Sequence, residues 1–407
     1  MTTRRGFMKG SALAIFGVGA APAWLSRSVY ASGLTPGKRK KVLVAVFQRG
    51  AVDGLNVIVP YGEKRYYDLR PSIGIPANAV VDLNGFFGLH PALAPLKPMW
   101  DSHSLAIVDA VGSPDPTRSH FDAQDYMESG TPGLKATTAG WLNRALPNET
   151  GKLSPVRAVS VGSNLARTLR GPNNAIAVGN LNDFQIQNAV GSATFESMYE
   201  NSLDTTLHGT GRETFDAVKM LQSIQKQTYT PAAGVEYPKG KFSQSLQQIA
   251  RLIKAEVGLE VAFTDIGGWD THVNQVGGQP VDGQMANTLK DFAQSLAAFY
   301  RDLGDHMADV TVVTMSEFGR TAQENGNRGT DHGHANYMLA FGGAVRGGKI
   351  YGEWPGLAED QLYEGRDLAL TTDFRDVLGE LVAGHLGKRN LGAVFPGYQP
   401  KFRNLLG

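Results

Sequence analysis

The chain has 407 residues, of which 39 are lysine or arginine, 38 are aspartate or glutamate, and none is cysteine. A formal net charge of +1 offers no basic surface for phosphate groups, so we expect no nucleic-acid partner. Without cysteine, any metal must be held by oxygen and imidazole ligands, which suit Zn, Mn, Mg or Ca, and no disulfide can form.

The N-terminal segment predicts export. Residues 3–9 contain two adjacent arginines, a hydrophobic residue and a lysine, which is the twin-arginine pattern, and small residues follow up to Ala31. The apolar stretch between them is too short and too weakly apolar for a stable membrane span. We therefore expect residues 1–31 to be a signal peptide that the twin-arginine translocase recognises, with a periplasmic or secreted product. An uncleaved membrane anchor or a chance Arg-Arg pair is the alternative.

Segments of strand length and of helix length alternate along residues 32–407, which we treat as a single domain. Continuous apolar runs predict strands at Val42–Phe47, Ser104–Val111, Val156–Val161, Val257–Ile266, Val310–Met315 and Tyr337–Phe341. Helical patterns occur at Pro91–Trp100, Phe121–Glu128, Thr214–Gln227, Phe242–Lys254, 284–304 and from Phe374 to Val382. This alternation predicts an α/β fold with a mostly parallel sheet covered on both faces, and residues 162–255 could form an insertion or cap over the site.

Two glycine-flanked clusters are the strongest chemical signals. Asp270 and His272 follow one predicted strand, and Asp331 and His332 lie in a second loop some sixty residues later. Because ligands bind outside the carboxyl ends of parallel strands, we expect these loops to meet and to supply metal ligands. The alternative is structural: Asp270 and Asp331 would cap turns, and His272 would be a surface residue.

Two further loops carry charged groups at strand ends. Glu317 is a candidate metal ligand, and Arg320 is a candidate clamp for a phosphate or sulfate oxygen, unless the two form a structural ion pair. After the first strand, Asp53 is a candidate ligand, and Arg49 and Asn56 are candidates for holding substrate. Alternatively, Asp53 only ties the backbone of its own turn.

The loop after the second strand offers hydroxyl groups beside a histidine. Ser119 or Thr117 could serve as a metal-activated nucleophile, and His120 as a ligand or base. Ser119 is also a good N-cap for the helix that follows, which would be a purely structural role.

Several of these motifs together resemble a large bacterial family of twin-arginine-exported proteins of unknown function, which is grouped with the alkaline phosphatase and sulfatase superfamily. The motifs are Arg-Gly-x-x-Asp-Gly-Leu-Asn at 49–56, Ser-His-Phe at 119–121, Gly-Gly-Trp-Asp-Thr-His at 267–272, Ser-Glu-Phe-Gly-Arg-Thr at 316–321 and Gly-Thr-Asp-His-Gly at 329–333. The resemblance implies an alkaline-phosphatase-like α/β/α sandwich with two metal positions beside a hydroxyl nucleophile.

The same resemblance implies roles for individual residues. One metal would be held by Asp270, His272 and His332, a second by Asp53 and Glu317, with Ser119 or Thr117 between them. The expected function is a periplasmic metal-dependent hydrolase of a phosphate, sulfate or related ester, acting on an anionic small molecule or polymer. Ser-Glu-Phe stands after the fourth strand where superfamily enzymes usually have Asp-His. A non-catalytic periplasmic binding or assembly factor with the same fold is therefore the alternative.

Overall fold

The computed structural model describes residues 39–147, 153–181 and 205–407. The predicted signal peptide and residues 182–204 of the predicted cap lie outside the described residues. No helix within the described ranges is long and apolar enough to cross a membrane.

Twelve strands occur in the described residues. They are β1 Val42–Gln48, β2 Ile58–Val59, β3 Val81–Asp82, β4 Gly88–Leu89, β5 Leu105–Gly112, β6 Ala158–Val161, β7 Ile176–Val178, β8 Val261–Ile266, β9 Val310–Ser316, β10 Asn336–Gly342, β11 Lys349–Tyr351 and β12 Thr372–Asp373. The α-helices are α1 Gly54–Val57, α2 Lys64–Leu69, α3 Lys97–Asp101, α4 His120–Ser129, α5 Trp141–Ala145, α6 Thr205–Lys226, α7 Lys241–Lys254, α8 Gln284–Leu303, α9 Phe374–Gly384 and α10 Leu391–Val394.

The main sheet has the strand order β11-β5-β10-β9-β1-β8-β6-β7, and β12 also pairs with β5. β1 lies at its centre and pairs in parallel with both β8 and β9. β10 is antiparallel to its neighbours β5 and β9, whereas the other described strand pairs of this sheet are parallel. The prediction of a mostly parallel sheet is therefore confirmed. A small antiparallel sheet of order β2-β4-β3 accompanies it.

Both faces of the main sheet are covered. All seven residues of β1 are buried, and the six apolar ones alternate between two apolar clusters, as the side-chain period of a strand requires. Val42, Val44 and Val46 pack in the cluster that contains α7 and α8, and Leu43 and Ala45 pack with α9 on the other face. The predicted α/β/α layering is confirmed. Because α7 packs in this core, that part of the predicted cap belongs to the helical layer instead.

The direction of β10 explains how the two clusters reach one edge. The segment 317–335 leaves β9 at its carboxyl end. Since β10 is antiparallel to β9, its first residue lies at that same edge, and the segment therefore ends where it began. The loop that carries Asp331 and His332 consequently faces the loop after β8 that carries Asp270 and His272.

Candidate metal centre

Close packing of backbone brings the loops of the carboxyl edge together. A side chain at Gly50, which has a φ of +116°, would place its Cβ 2.7 Å from the amide nitrogen of Asp270. A Cβ at Gly329 would lie 2.3 Å from the carbonyl oxygen of His272. Neither separation is sterically allowed, so glycine at these positions is what lets the loops after β1 and β8 and before β10 touch.

His120 occupies the first position of α4 and bridges two charged groups. Its Nδ1 lies 2.8 Å from Oε1 of Glu317, the first residue after β9. Its Nε2 lies 3.0 Å from Nε2 of His332 and 3.6 Å from Oδ1 of Asp270. The structure therefore places His120, which the sequence suggested as ligand or base, within the donor cluster.

His332 and His272 complete the group of imidazoles. Nε2 of His272 lies 2.9 Å from Nε2 of His332 and 3.1 Å from Oδ1 of Asp270. Nδ1 of His272 contacts Oδ1 of Asp331 at 3.0 Å, and Nδ1 of His332 contacts the carbonyl oxygen of Arg118 at 2.9 Å. The two predicted clusters thus converge on one position.

The partners of the three Nδ1 atoms determine the tautomers. A carboxylate or a carbonyl oxygen can only accept a hydrogen bond, so each Nδ1 must carry the proton. In the neutral rings Nε2 of His332 then presents its lone pair to Nε2 of His120 and of His272, and all three atoms face Oδ1 of Asp270. Nitrogen and oxygen lone pairs at these distances repel unless a proton or a cation lies between them. A carboxylate or carbonyl behind a histidine that faces a metal is the usual support of such ligands.

The spacing of the donors fits one ion. Zn²⁺ with Zn–N distances of about 2.0–2.1 Å in a tetrahedron separates neighbouring ligand atoms by roughly 3.3 Å. The ligand atoms of His120, Asp270 and His332 all lie within 4.8 Å of one another. The separations within this set are 3.0 Å between the two histidines, 3.6 Å from His120 to Asp270 and 3.4 Å from His332 to Asp270, which match that requirement. The residues therefore fit a single divalent cation held by imidazole and carboxylate.

The electrostatics agree with this arrangement. The hydrogen bond from His120 to Glu317 raises the pKa of His120, whereas burial lowers the pKa of His332. Burial alone would raise the pKa of Asp270, but the hydrogen bond and charge of Arg320 outweigh it and lower that pKa. In Glu317, burial also acts to raise the pKa, and the hydrogen bonds that it accepts lower it overall. Both carboxylates are thus kept ionised.

Glu317 faces His120 instead of the shared donor position. Its Oε1 also accepts hydrogen bonds from the amide of Gly50 and from Gln124, each at 2.8 Å, and its Oε2 accepts one from Ser316. Its side chain is fully buried. These contacts assign Glu317 to orienting His120, and not to the second metal position that the resemblance implied.

Arg320 has a structural role in place of the predicted substrate contact. Its buried guanidinium donates to the carbonyl oxygens of Gly50, Ala51, Trp269 and Thr330 and to Oδ1 of Asp270. One side chain therefore ties three loops together and orients a donor carboxylate. The alternative of an ion pair with Glu317 is also not observed, because Arg320 pairs with Asp270.

Asp53 and Asn56 are likewise occupied by structural partners. Asp53 receives two hydrogen bonds from Arg70 and one from Gln275, and all three side chains are buried. Asn56 accepts from Tyr66 and Arg70. A metal-ligand role for Asp53 and a substrate-binding role for Asn56 do not fit these contacts. Asp53 and Glu317, which the resemblance implied as ligands of a second metal, therefore both contact other side chains.

Arg49 lies near the centre but its nitrogens are engaged. It donates to Asp265, Gln124 and Glu128 at distances of 2.6 to 2.9 Å. Gln124 in turn donates to Glu317, which contacts His120. Arg49 therefore helps to position His120 indirectly. The predicted contact with substrate would require this arrangement to break.

The two candidate nucleophiles differ in their surroundings. Ser119 precedes His120, is exposed, and makes no side-chain hydrogen bond as the N-cap of α4. The hydroxyl oxygen of Thr117 accepts from the amide of Ser119 at 3.2 Å. Ser119 therefore carries the more accessible of the two candidate hydroxyl groups.

Sequence reasoning missed two residues of this site. Gln124 lies one helical turn after His120 and donates to Glu317. A hydrogen bond between a glutamine amide and a glutamate far away in the sequence has no sequence motif. Arg366 donates to the carbonyl oxygen of His332, and its side chain is 40% exposed. Arg366 lies between β11 and β12, in a segment where the sequence shows no recognisable motif.

A family model described as "Protein of unknown function (DUF1501)" matches residues 100–390. No protein among the curated ones matches the sequence. Solved structures with a similar fold include the C-terminal periplasmic domain of EcEptC from Escherichia coli in complex with Zn, which is 10% identical, with 75% of this chain and 74% of that chain covered and a TM-score of 0.36.

Two further structures are similar at 10% identity. The PsFucS1 sulfatase from Pseudoalteromonas sp. has a TM-score of 0.34, with 83% of this chain and 70% of that chain covered. A protein in the alkaline phosphatase superfamily from Vibrio parahaemolyticus has a TM-score of 0.32, with 83% and 72% covered. Similarity this low assigns no residue of this chain a role.

Proposed function

Since the chain belongs to the DUF1501 family, whose description names no activity, we propose from the site that it is a metal-dependent hydrolase of an anionic ester, such as a phosphate or sulfate ester. One observation supports this proposal above others. The ligand atoms of His120, Asp270 and His332 lie within 4.8 Å of one another, and Nε2 of His120 and of His332 lie 3.6 and 3.4 Å from Oδ1 of Asp270. Imidazole and carboxylate donors in this arrangement suit a divalent transition metal such as Zn or Mn.

The donor cluster is open to solvent, as a catalytic centre must be. The side chains of Asp270 and His272 are 50% and 39% exposed, and those of His120 and His332 are each 23% exposed. When bound, a divalent cation polarises a phosphoryl or sulfuryl oxygen and lowers the pKa of a coordinated water or hydroxyl group. The rigid backing of the three imidazoles would hold the donors in place while substrate enters.

Two residues of this chain can act on the ester itself. Ser119 has a free hydroxyl directly beside His120 and is the proposed nucleophile, with water as the alternative. Arg366 is exposed enough to reach an anionic oxygen while it holds the backbone of His332. It takes the role that the sequence suggested for Arg49 and Arg320, whose nitrogens are engaged.

The test is metal content and turnover of the purified exported protein on a panel of phosphate, sulfate and carboxylate esters. We expect about one divalent ion per chain and saturable turnover of at least one anionic ester, both lost in His332→Ala and Asp270→Ala. Asp101→Ala, a substitution in an exposed carboxylate on α3, should change neither. A folded wild-type protein that binds no divalent ion would overturn the proposal.

A non-catalytic binding or assembly factor is the second candidate, and one observation favours it. Nε2 of His272 lies 3.1 Å from Oδ1 of Asp270, and a metal that it joined as a fourth protein ligand would have no position left for substrate, as in structural zinc sites. Bound metal without turnover of any ester, together with specific retention of a ligand or partner, would support this candidate.

We also propose that the protein acts in the periplasm or outside the cell after passage through the twin-arginine translocase. The arginine pair and following apolar stretch in residues 3–25 support this location. Replacement of both Arg4 and Arg5 by lysine should retain the protein in the cytoplasm, which fractionation would detect.

A further inference from the structure

The buried carboxylate of Asp367 lies between two arginines that both contact the donor His332. Its Oδ2 accepts hydrogen bonds from Nη2 and Nε of Arg118, at 2.6 and 3.3 Å, and its Oδ1 lies 3.5 Å from Nε of Arg366. The carbonyl oxygen of Arg118 accepts a hydrogen bond from Nδ1 of His332, and the guanidinium of Arg366 donates to the carbonyl oxygen of His332. Through its two partners, Asp367 therefore acts on both the ring and the backbone of a donor histidine.

The segment 363–368, here called the brace, holds Asp367 against the loop between β9 and β10. Asp367 exchanges backbone hydrogen bonds with Tyr363 in both directions, at 2.8 and 3.0 Å, which closes the brace into a tight turn. Two carbonyl oxygens of the brace accept from the amides of Ala322 and Ala335, at 3.0 and 3.2 Å. The brace is thus bonded near both ends of the loop that carries the second cluster of candidate ligands.

Arg118 extends this connection to the loop between β5 and α4, two positions before His120. Its side chain is bonded to the brace, and its carbonyl oxygen is bonded to Nδ1 of His332, so the two loops are tied to each other. The separation of 3.0 Å between Nε2 of His120 and Nε2 of His332 spans these same two loops. An ion held by both imidazoles requires that this separation be maintained.

The contacts of Asp367 favour a role in positioning over a role in stability. Its side chain is fully buried, yet Oδ1 has no hydrogen-bond partner among the described residues. A buried acceptor without a hydrogen bond destabilises the folded chain. A buried ion pair, moreover, often contributes no more to folding than apolar side chains of the same volume would.

We propose that Asp367 is a positioning residue of the metal centre, which acts through Arg118 to keep Nε2 of His120 and of His332 at the separation that one divalent ion requires. This inference rests on the proposed function, because it takes both histidines as ligands. A substitution that releases Arg118 would let the two loops move apart, and the ion would be bound more weakly. Because Asp367 acts through a second residue, its loss should cost about threefold to tenfold in metal affinity, less than the loss of a direct partner such as Glu317.

Titration of the full-length protein with Co²⁺ tests this role, because the visible absorption of bound Co²⁺ reports affinity and also coordination geometry. Asp367→Asn and Arg118→Gln should each weaken Co²⁺ binding by about threefold to tenfold and alter the absorption spectrum. Since both substitutions break the same contact, the double variant should bind Co²⁺ about as well as either single variant. The guanidinium of Arg118 is 28% exposed and can be hydrated without its partner, so Asp367→Asn should still fold.

Asp376→Asn is the matched control. Asp376 is also a buried carboxylate that pairs with a partly exposed arginine, Arg403, at 2.7 Å, and its other partners Tyr398 and Lys401 also belong to the C-terminal segment. Both asparagine variants should therefore lower the melting temperature to a similar extent. Only the substitution of Asp367 should change the affinity for Co²⁺ and the spectrum of the bound ion.

Each outcome supports or overturns the inference. Unchanged Co²⁺ affinity in folded Asp367→Asn and Arg118→Gln would overturn the positioning role and leave the single-ion centre intact. An equal loss of affinity in Asp376→Asn would assign the effect to lower stability and would overturn the role as well. Additive losses in the double variant would show that the two residues act separately, with the same consequence. If the wild type binds no Co²⁺, the proposed function fails and this inference fails with it.

Discussion

Nε2 of His120 lies 3.0 Å from Nε2 of His332, although the other nitrogen of each ring faces an acceptor, namely Glu317 and the carbonyl oxygen of Arg118. The acceptors force both Nδ1 atoms to carry protons and so direct two lone pairs at one another. A shared cation relieves this repulsion. The geometry of the centre therefore depends on the groups behind the rings as much as on the rings themselves.

Glu317→Gln should weaken metal binding because it removes the negative charge behind His120 while preserving shape. Loss of such a supporting contact costs about tenfold to a hundredfold in metal affinity. Competition with a chromophoric chelator measures the change. Asp331→Asn should have a smaller effect, because Asp331 is 57% exposed and solvent screens its contact with His272. Glu364→Gln, in an exposed ion pair with Arg118, is the control that should leave the affinity unchanged.

The substitution Asp53→Asn tests whether Asp53 is a metal ligand or a structural residue. The buried guanidinium of Arg70 would lose its charged partner, so the free energy of unfolding should fall by about 3–5 kcal/mol. Metal content per folded chain should not change. Asp270→Asn should instead lower the metal affinity by more than roughly tenfold, because it alters a metal ligand directly. Denaturant titration and elemental analysis of both variants measure these effects. Loss of metal from folded Asp53→Asn would restore the two-metal interpretation.

Arg320 and Arg366 should likewise separate an effect on stability from an effect on substrate binding. Arg320→Gln would leave several buried carbonyl oxygens without a donor and should lower the free energy of unfolding by about 3–5 kcal/mol. Arg366→Gln, in a half-exposed side chain, should cost less than about 1 kcal/mol and instead raise KM for anionic esters several-fold. An Arg366 variant with unchanged KM would show that the anion is bound elsewhere.

Much of the fold could be predicted from the sequence because long apolar runs and helical periods mark buried elements directly. β1, with every residue buried, is such a run. The direction of β10 could not be predicted, since the residues of Asn336–Gly342 form the same buried pattern in either direction. Only the pairing with β9 and β5 decides it, and that pairing carries the second histidine loop to the site.

The site was predictable to the level of its loops, but the roles within them were not. The glycine-flanked clusters identified the donors Asp270 and His332, and the motif at 119–121 contributed His120. Whether a carboxylate faces an ion or a side chain depends on its neighbours in space. Asp53 accepts a hydrogen bond from Arg70, which lies 17 residues away and belongs to no recognisable motif. Glu317 contacts Nδ1 of His120, which lies 197 residues away in the sequence.

The stability of the protein should fall in mild acid because His385 is buried. Burial lowers its pKa from 6.5 to about 4, and its two ring nitrogens contact Thr311 and the carbonyl oxygen of Val42. Between these two pH values the unfolded chain binds a proton that the folded chain does not, so stability decreases as pH falls through this window. The contribution of this one group approaches roughly 3 kcal/mol near pH 4.

His385→Gln tests this assignment, because glutamine does not titrate. Denaturant unfolding between pH 7 and pH 4 should show a shallower loss of stability in this variant than in the wild type. His306→Gln, in a partly exposed residue of the 3-10 turn Gly304–Asp309, is the control and should keep the wild-type slope. His90 is also buried with a pKa lowered to about 4, so part of the slope should remain.

Anomalous scattering from crystals of the zinc-loaded protein tests the central claim most directly. One peak per chain is expected, at about 2.0–2.1 Å from Nε2 of His120 and His332 and from Oδ1 of Asp270. A protein without a peak at this position, or with its metal bound between Asp53 and Glu317, would contradict the single-ion centre and the hydrolytic function built on it.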